Sequence, residues 1–228
     1  NTEKKQGIIA GISLVIMAVV AGFSFGYAHS SLVADSLEIT VQNLVANKSL
    51  FYAELFGWGI IFILDLIVAI ALYYFFHRES KQISFITASI RVVYTIILGV
   101  AILQLLKIIP FLSLENPISD KLIVSNIESH FLMFEKLWSV GLIIFGLHLI
   151  GLGYLSLKSK SVHWILGFLL YFGGISYFFV HFTRQLSLIN PDVLKSVESV
   201  LAIPMALAEI LLAFWLIYFG LRKSSSKN

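Results

Sequence analysis

Residues 55–76 read LFGWGIIFILDLIVAIALYYFF, in which Asp65 is the only formal charge. A helix needs about 20 consecutive apolar residues to cross roughly 30 Å of hydrocarbon, and this stretch meets that length without help from its flanks. A soluble core has no use for such a run. Reading outward from it, apolar runs bounded by polar clusters recur at 7–28, 51–76, 84–109, 130–156, 163–182 and 198–221. Lipid cannot satisfy exposed backbone groups, and the alternation expected of a membrane barrel strand is absent, so the runs predict helices. The expected fold is therefore all-α: a polytopic helical bundle of six transmembrane helices, with residues 1–228 forming one domain.

Composition agrees. Of 228 residues, 58% are hydrophobic and 13% charged, and the mean hydropathy is +0.91; a soluble domain has about a quarter of its residues charged. The chain has no cysteine, which excludes disulfides, thiolate metal sites and a cysteine nucleophile. A net charge of +3, dispersed over the connections, gives no basic face for nucleic acid. The lipid bilayer is the expected partner. Lys4 and Lys5 before the first run, and Gly26-Tyr27-Ala28 near its end, resemble a secretory signal. The run from Gly7 to Phe25 is longer than the roughly 7–15 apolar residues of such a signal, so it is read as a span.

Lys4, Lys5, Arg78, Lys81, Lys158, Lys160, Arg222, Lys223 and Lys227 fall on one side of a six-span topology, and Lys48, Lys121, Arg184 and Lys195 on the other. The richer side is expected to be cytoplasmic, which places both termini and the connections 77–83 and 157–162 inside. The expected location is a bacterial cytoplasmic membrane. Connection 29–50, with Leu37, Ile39, Val41, Leu44 and Val45, has the pattern of an amphipathic surface helix. Glu115-Asn116-Pro117 carries turn chemistry, and Asn190-Pro191-Asp192 a helix start.

Four ionisable residues fall deep within the runs: Asp65, Arg91, His148 and Glu209, at roughly 16, 10, 12 and 18 Å from the inner boundary at about 1.5 Å per residue. An unpaired Asp or Arg there costs about 2.5–3.5 kcal/mol, so all four are expected to face the bundle interior, with Asp65 pairing to Arg91. His148 is expected to donate to Glu209, with Tyr94 joining the network. The same residues would suit a substrate or proton site, and no pair has metal-ligand spacing along one helix. A second polar set, Glu54, His130, Glu135, Lys136, His181 and Arg184, lies toward the outer side and reads either as interfacial solvation or as a vestibule. Glu135 and Lys136 point about 100° apart on a helix and cannot both face one cavity squarely. His29, His77 and His163 fall at boundaries and need no special role.

Asp65 precedes Tyr74-Phe75 and Arg78 by the same offsets at which Glu209 precedes Tyr218-Phe219 and Arg222, a weak internal repeat. Gly7-xxx-Gly11, Gly22-xxx-Gly26, Gly167, Gly173 and Gly174 predict faces of close approach, within the bundle or toward a second copy or another membrane protein. Pro204 predicts a kink one turn before Glu209. No nucleophile elbow, phosphate loop or metalloprotease histidine pair occurs.

Asp65 followed by Leu72-Tyr73, Ala88-Ser89-Ile90-Arg91, Phe145-Gly146-Leu147-His148, Gly153-Tyr154-Leu155, Ile165-Leu166-Gly167, and Glu209 with Trp215-Leu216 and Gly220 together resemble the bacterial membrane proteins grouped as the domain of unknown function 4386 family. The likeness runs from the first segment to the sixth. It departs at His163, where that family usually has proline. The resemblance implies six spans and marks Arg91, His148 and Glu209 as characteristic positions; it implies no established activity, and the sequence names no cofactor. Three functions are compatible with these residues: binding or transport of a small molecule or ion, a structural or regulatory membrane subunit, or an enzyme using His148 and Glu209 as acid and base.

Overall fold

The computed structural model describes residues 2–34, 36–114 and 119–222. Glu115, Asn116, Pro117, Lys223 and Lys227, which carry expectations about a turn and about charge, lie outside the described residues. Helix α1 spans Thr2–Ala21 and continues as a π-helix over Gly22–His29 and a last turn, Ser30–Leu32. There follow α2 (Leu37–Ala46), α3 (Lys48–Phe76), α4 (Lys81–Leu106), the single turn α5 (Ile109–Leu112), α6 (Lys121–Lys158), α7 (Trp164–Leu186) and α8 (Pro191–Leu221). Among the described residues, six helices are long and apolar enough to cross a membrane: Thr2–Leu32, Lys48–Phe76, Lys81–Leu112, Lys121–Lys158, Trp164–Leu186 and Pro191–Leu221. The protein is an all-α, multi-pass membrane protein.

The helices outrun the apolar segments, most of all at α6, which begins at Lys121 where hydropathy alone predicts 130. Its first turns are polar on one face, yet Val124, Ile127, Phe131 and Phe134 are buried at three- and four-residue spacing. Amphipathic periodicity extends the helix where mean hydropathy has already fallen. At about 1.5 Å per residue its 38 residues reach roughly 57 Å, well beyond the hydrocarbon thickness. Helix α8 starts where the sequence predicts: the Asn190 side chain accepts from the Asp192 N–H at 2.9 Å with Pro191 in the first turn. His163 takes the matching role at α7, its Nδ1 accepting from the Ile165 N–H at 3.3 Å. A histidine cap thus begins the helix here without a proline. Ser187, at φ 50°, closes α7 in the left-handed region, with the Leu188 N–H bonded to the Thr183 carbonyl.

The chain forms two compact units. Unit 1 comprises Asn1–Ile16, Leu64–Thr95 and Val140–Asn228; unit 2 comprises Met17–Ile63 and Ile96–Ser139. In unit 1, α7 packs along α8. Close approaches are made by glycines: a Cβ on Gly174 would lie 2.7 Å from the Gly146 carbonyl oxygen, and one on Gly11 would lie 2.6 Å from that of Ala213. Gly7, Gly167 and Gly173 also meet neighbours at contact distance. Gly22 and Gly26 do not; both face open space. Their spacing is that of a packing motif, but among the described residues no neighbour meets the face they occupy. One end of unit 1 is tied together by polar contacts. Lys4 Nζ donates to the Arg222 carbonyl, Ser161 donates to Glu3 at 2.6 Å, Ser159 donates to Glu79 at 2.9 Å and Trp215 Nε1 donates to the Ser161 carbonyl at 2.9 Å.

In unit 2, α2 has the expected amphipathic character, burying Thr40, Val41 and Leu44 while Ile39 is 48% exposed. The Thr40 hydroxyl fixes the approach to it, accepting from the Ala34 N–H at 2.9 Å. Lys48 Nζ donates to the Leu112 carbonyl, holding the start of α3 against α5.

Candidate functional site

Arg91 on α4 is the centre of the buried polar structure of unit 1. Its guanidinium has five donors in a rigid planar fork, and three other helices supply acceptors. Nε donates to Asp65 Oδ1 on α3 at 2.9 Å, and Nη2 lies 2.7 Å from the same oxygen, off the hydrogen-bonding angle. Nη1 donates to Glu209 Oε1 on α8 at 2.7 Å and faces His148 Nε2 on α6 at 3.1 Å. The Phe145 ring covers the guanidinium, its centroid 5.5 Å from Cζ. Asp65, Arg91 and His148 are fully buried, whereas the Glu209 side chain is 20% exposed.

The contacts fix the histidine's tautomer. His148 Nδ1 lies 2.9 Å from the Thr87 carbonyl oxygen, an acceptor only, so Nδ1 carries the hydrogen. Nε2 faces a guanidinium N–H and therefore accepts. The ring is neutral and bridges α4 to itself, joining Thr87 to Arg91 one turn later. Here the structure departs from the sequence reading: His148 does not donate to Glu209, because Arg91 stands between them and bonds both. Tyr94 packs beside this group, its ring tilted against that of Phe145 with 5.0 Å between centroids, and Phe145 in turn meets Tyr177 edge-on at 5.2 Å.

The constellation holds two carboxylates and one guanidinium, with a neutral imidazole. The Asp65–Arg91 pair expected from the sequence is present, and Asp65 Oδ2 has no hydrogen-bond partner among the described residues. The internal repeat has a spatial counterpart. Asp65 and Glu209 meet at Arg91, and ten residues on, Phe75 and Phe219 meet edge-on at 5.8 Å.

The second polar set divides. In unit 2, Glu54 and Glu135 both approach His29, Glu54 Oε1 at 2.8 Å from Nδ1 and Glu135 Oε1 at 3.7 Å from Nε2. His130 instead faces Gln104 Oε1 at 3.2 Å. In unit 1, Arg184 pairs with Glu198 and faces His181 Nδ1 at 3.4 Å. Sequence reasoning assigned His29 no role because it stands at the end of an apolar run; its carboxylate partners are 25 and 106 residues away, with no local signal linking them.

A family model described as "Domain of unknown function (DUF4386)" matches residues 9–220. An uncharacterized protein of Archaeoglobus fulgidus is 28% identical over 169 residues, covering 74% of this chain and 84% of the relative. No solved structure matches the chain. With the family model spanning all six membrane helices and the Arg91 constellation, the chain belongs to the domain of unknown function 4386 family.

Proposed function

We propose that this membrane protein binds a small cation or a proton at the Arg91 constellation, with Glu209 as the residue that receives it. The observation that carries this reading is the charge count: two carboxylates share one guanidinium and the histidine is neutral. A surplus negative charge in apolar surroundings is costly unless something compensates it, and Glu209 is the member with exposed surface. Ionisable groups held deep in membrane helices are expensive to maintain without such a role. We further propose that the protein sits in a bacterial cytoplasmic membrane with both termini inside, a reading supported by the lysines and arginines gathered on the side of the short connections. The family match over nearly the whole chain supports reading 1–228 as one domain.

A second reading has its own observation. Asp65, Arg91 and His148 have no exposed surface, as expected of a closed network that only locks helices together in a structural or regulatory subunit. An enzyme reading is favoured less, since neither nitrogen of His148 is free to exchange a proton with a substrate.

Thermal unfolding of purified protein in detergent separates the readings, because a ligand that binds only the folded state stabilises it in proportion to the logarithm of its concentration. The probes are sodium, potassium and acid. Cation binding predicts an unfolding temperature that rises with one of the two salts, whereas proton binding predicts a rise on acidification alone. Glu209→Gln removes either response. A folded wild-type protein indifferent to all three probes leaves the locked-network reading standing and ends the cation proposal.

A further inference from the structure

Unit 2 contains a second buried ionisable group, separate from Arg91. The π-helix Gly22–His29 ends on His29, and such wide turns often accompany function. The titratable groups facing the ring are Glu54 from α3 and Glu135 from α6. Glu54 is fully buried and His29 is 4% exposed, whereas the Glu135 side chain is 49% exposed. Trp58 Nε1 donates to Glu54 Oε1 at 3.3 Å, so that oxygen already serves two donors. Among the described residues, seven buried side-chain polar atoms lack a hydrogen-bond partner, and four belong here: Ser24 Oγ, His29 Nε2, Glu54 Oε2 and Trp138 Nε1. Buried polar atoms are normally satisfied, so such a concentration calls for a ligand.

The surroundings restrict what that ligand is. Phe25 stacks on His29 at 5.4 Å and meets Trp138 at 4.6 Å, Trp138 meets Trp58 at 5.1 Å, and Phe134 lies 5.7 Å from His29, all between ring centroids. Rings at these separations are in van der Waals contact and leave no room for an organic molecule.

We infer that Glu135, His29 and Glu54 form a proton relay that carries a proton from the exposed surface of unit 2 to the buried Glu54 carboxylate. Glu135 takes up the proton and, by a side-chain rotation that shortens the 3.7 Å gap, presents it to His29 Nε2. A new Nε2–H bond forms as the Glu135 O–H bond breaks. Nδ1–H then breaks toward Glu54 Oε1, at 2.8 Å, forming the Glu54 O–H bond. The imidazole ends neutral with its hydrogen on the other nitrogen, Glu135 ends as carboxylate, and one proton has moved to Glu54. The relay resets when both transfers reverse, the Glu54 O–H proton returning to Nδ1 as the Nε2–H proton returns to Glu135.

The test is time-resolved infrared spectroscopy of the full chain in detergent micelles after a step from alkaline to acidic buffer, repeated in deuterated water. The wild-type protein should develop a carboxylic-acid carbonyl band that shifts with deuterium and is lost in Glu54→Gln. In Glu135→Gln the band should reach the same height but rise roughly a hundredfold more slowly, the scale of losing one positioned proton donor. A band that survives Glu54→Gln, or a rise in Glu135→Gln as fast as in the wild type, overturns the relay. Glu135 is half exposed and its replacement should fold. If Glu54→Gln does not, the nitrogen-15 signals of His29 in the wild type and in Glu135→Gln decide. Slowed exchange at Nε2 in the variant supports the relay, and unchanged exchange refutes it.

Discussion

Arg91 neutralises one carboxylate, draws in a second and holds a histidine, and its replacements should differ in kind. Arg91→Leu leaves Asp65 and Glu209 facing each other without a cation, a loss of about 3–5 kcal/mol for a broken buried pair. Arg91→Lys keeps the charge but lacks the planar fork, and cannot reach Asp65, Glu209 and His148 together; we expect about 1–3 kcal/mol. Denaturant titration in detergent should rank wild type above Lys above Leu. Equal stability of the Leu variant would mean that the network contributes nothing to the fold. The pairing of Asp65 with Arg91 was legible in the sequence, since two opposite charges in adjacent apolar segments have few other partners. The bond from His148 to Thr87 was not, because a helix carbonyl that accepts a further hydrogen bond from a side chain leaves no trace in residue identity.

Helices were legible at the level of existence, and their inner packing only in part. Gly174 and Gly26 illustrate the limit. Each belongs to a small-residue pattern, but Gly174 meets the Gly146 carbonyl while Gly26 meets nothing. Gly174→Ala should therefore destabilise by about 1–3 kcal/mol through overpacking, and Gly26→Ala by less than about 0.5 kcal/mol, which thermal unfolding in detergent can resolve. Comparable losses at both positions would contradict the packing described for α6 and α7. Spacing reports which residues share a stripe of a helix, and not what that stripe faces. The partnership of His29 with Glu54 and Glu135 joins three different helices, which the periodicity of any one of them cannot report.

For the molecule as a whole, six spans and a cysteine-free sequence make topology directly measurable. A cysteine at Lys160 should react with a membrane-impermeant thiol reagent only from the cytoplasmic side, and one at Lys195 only from the opposite side; the reverse pattern would invert the orientation proposed from charge. The order in which the helices leave the ribosome gives the Arg91 contacts a further meaning. Asp65 and Arg91 belong to successive helices, α3 and α4, so they can enter lipid as a mutually neutralised hairpin well before α8 exists. Glu209 is synthesised 118 residues after Arg91 and meets a guanidinium already matched in charge. The surplus is thus postponed to the last step of assembly, when the surrounding helices are already in place to shelter it.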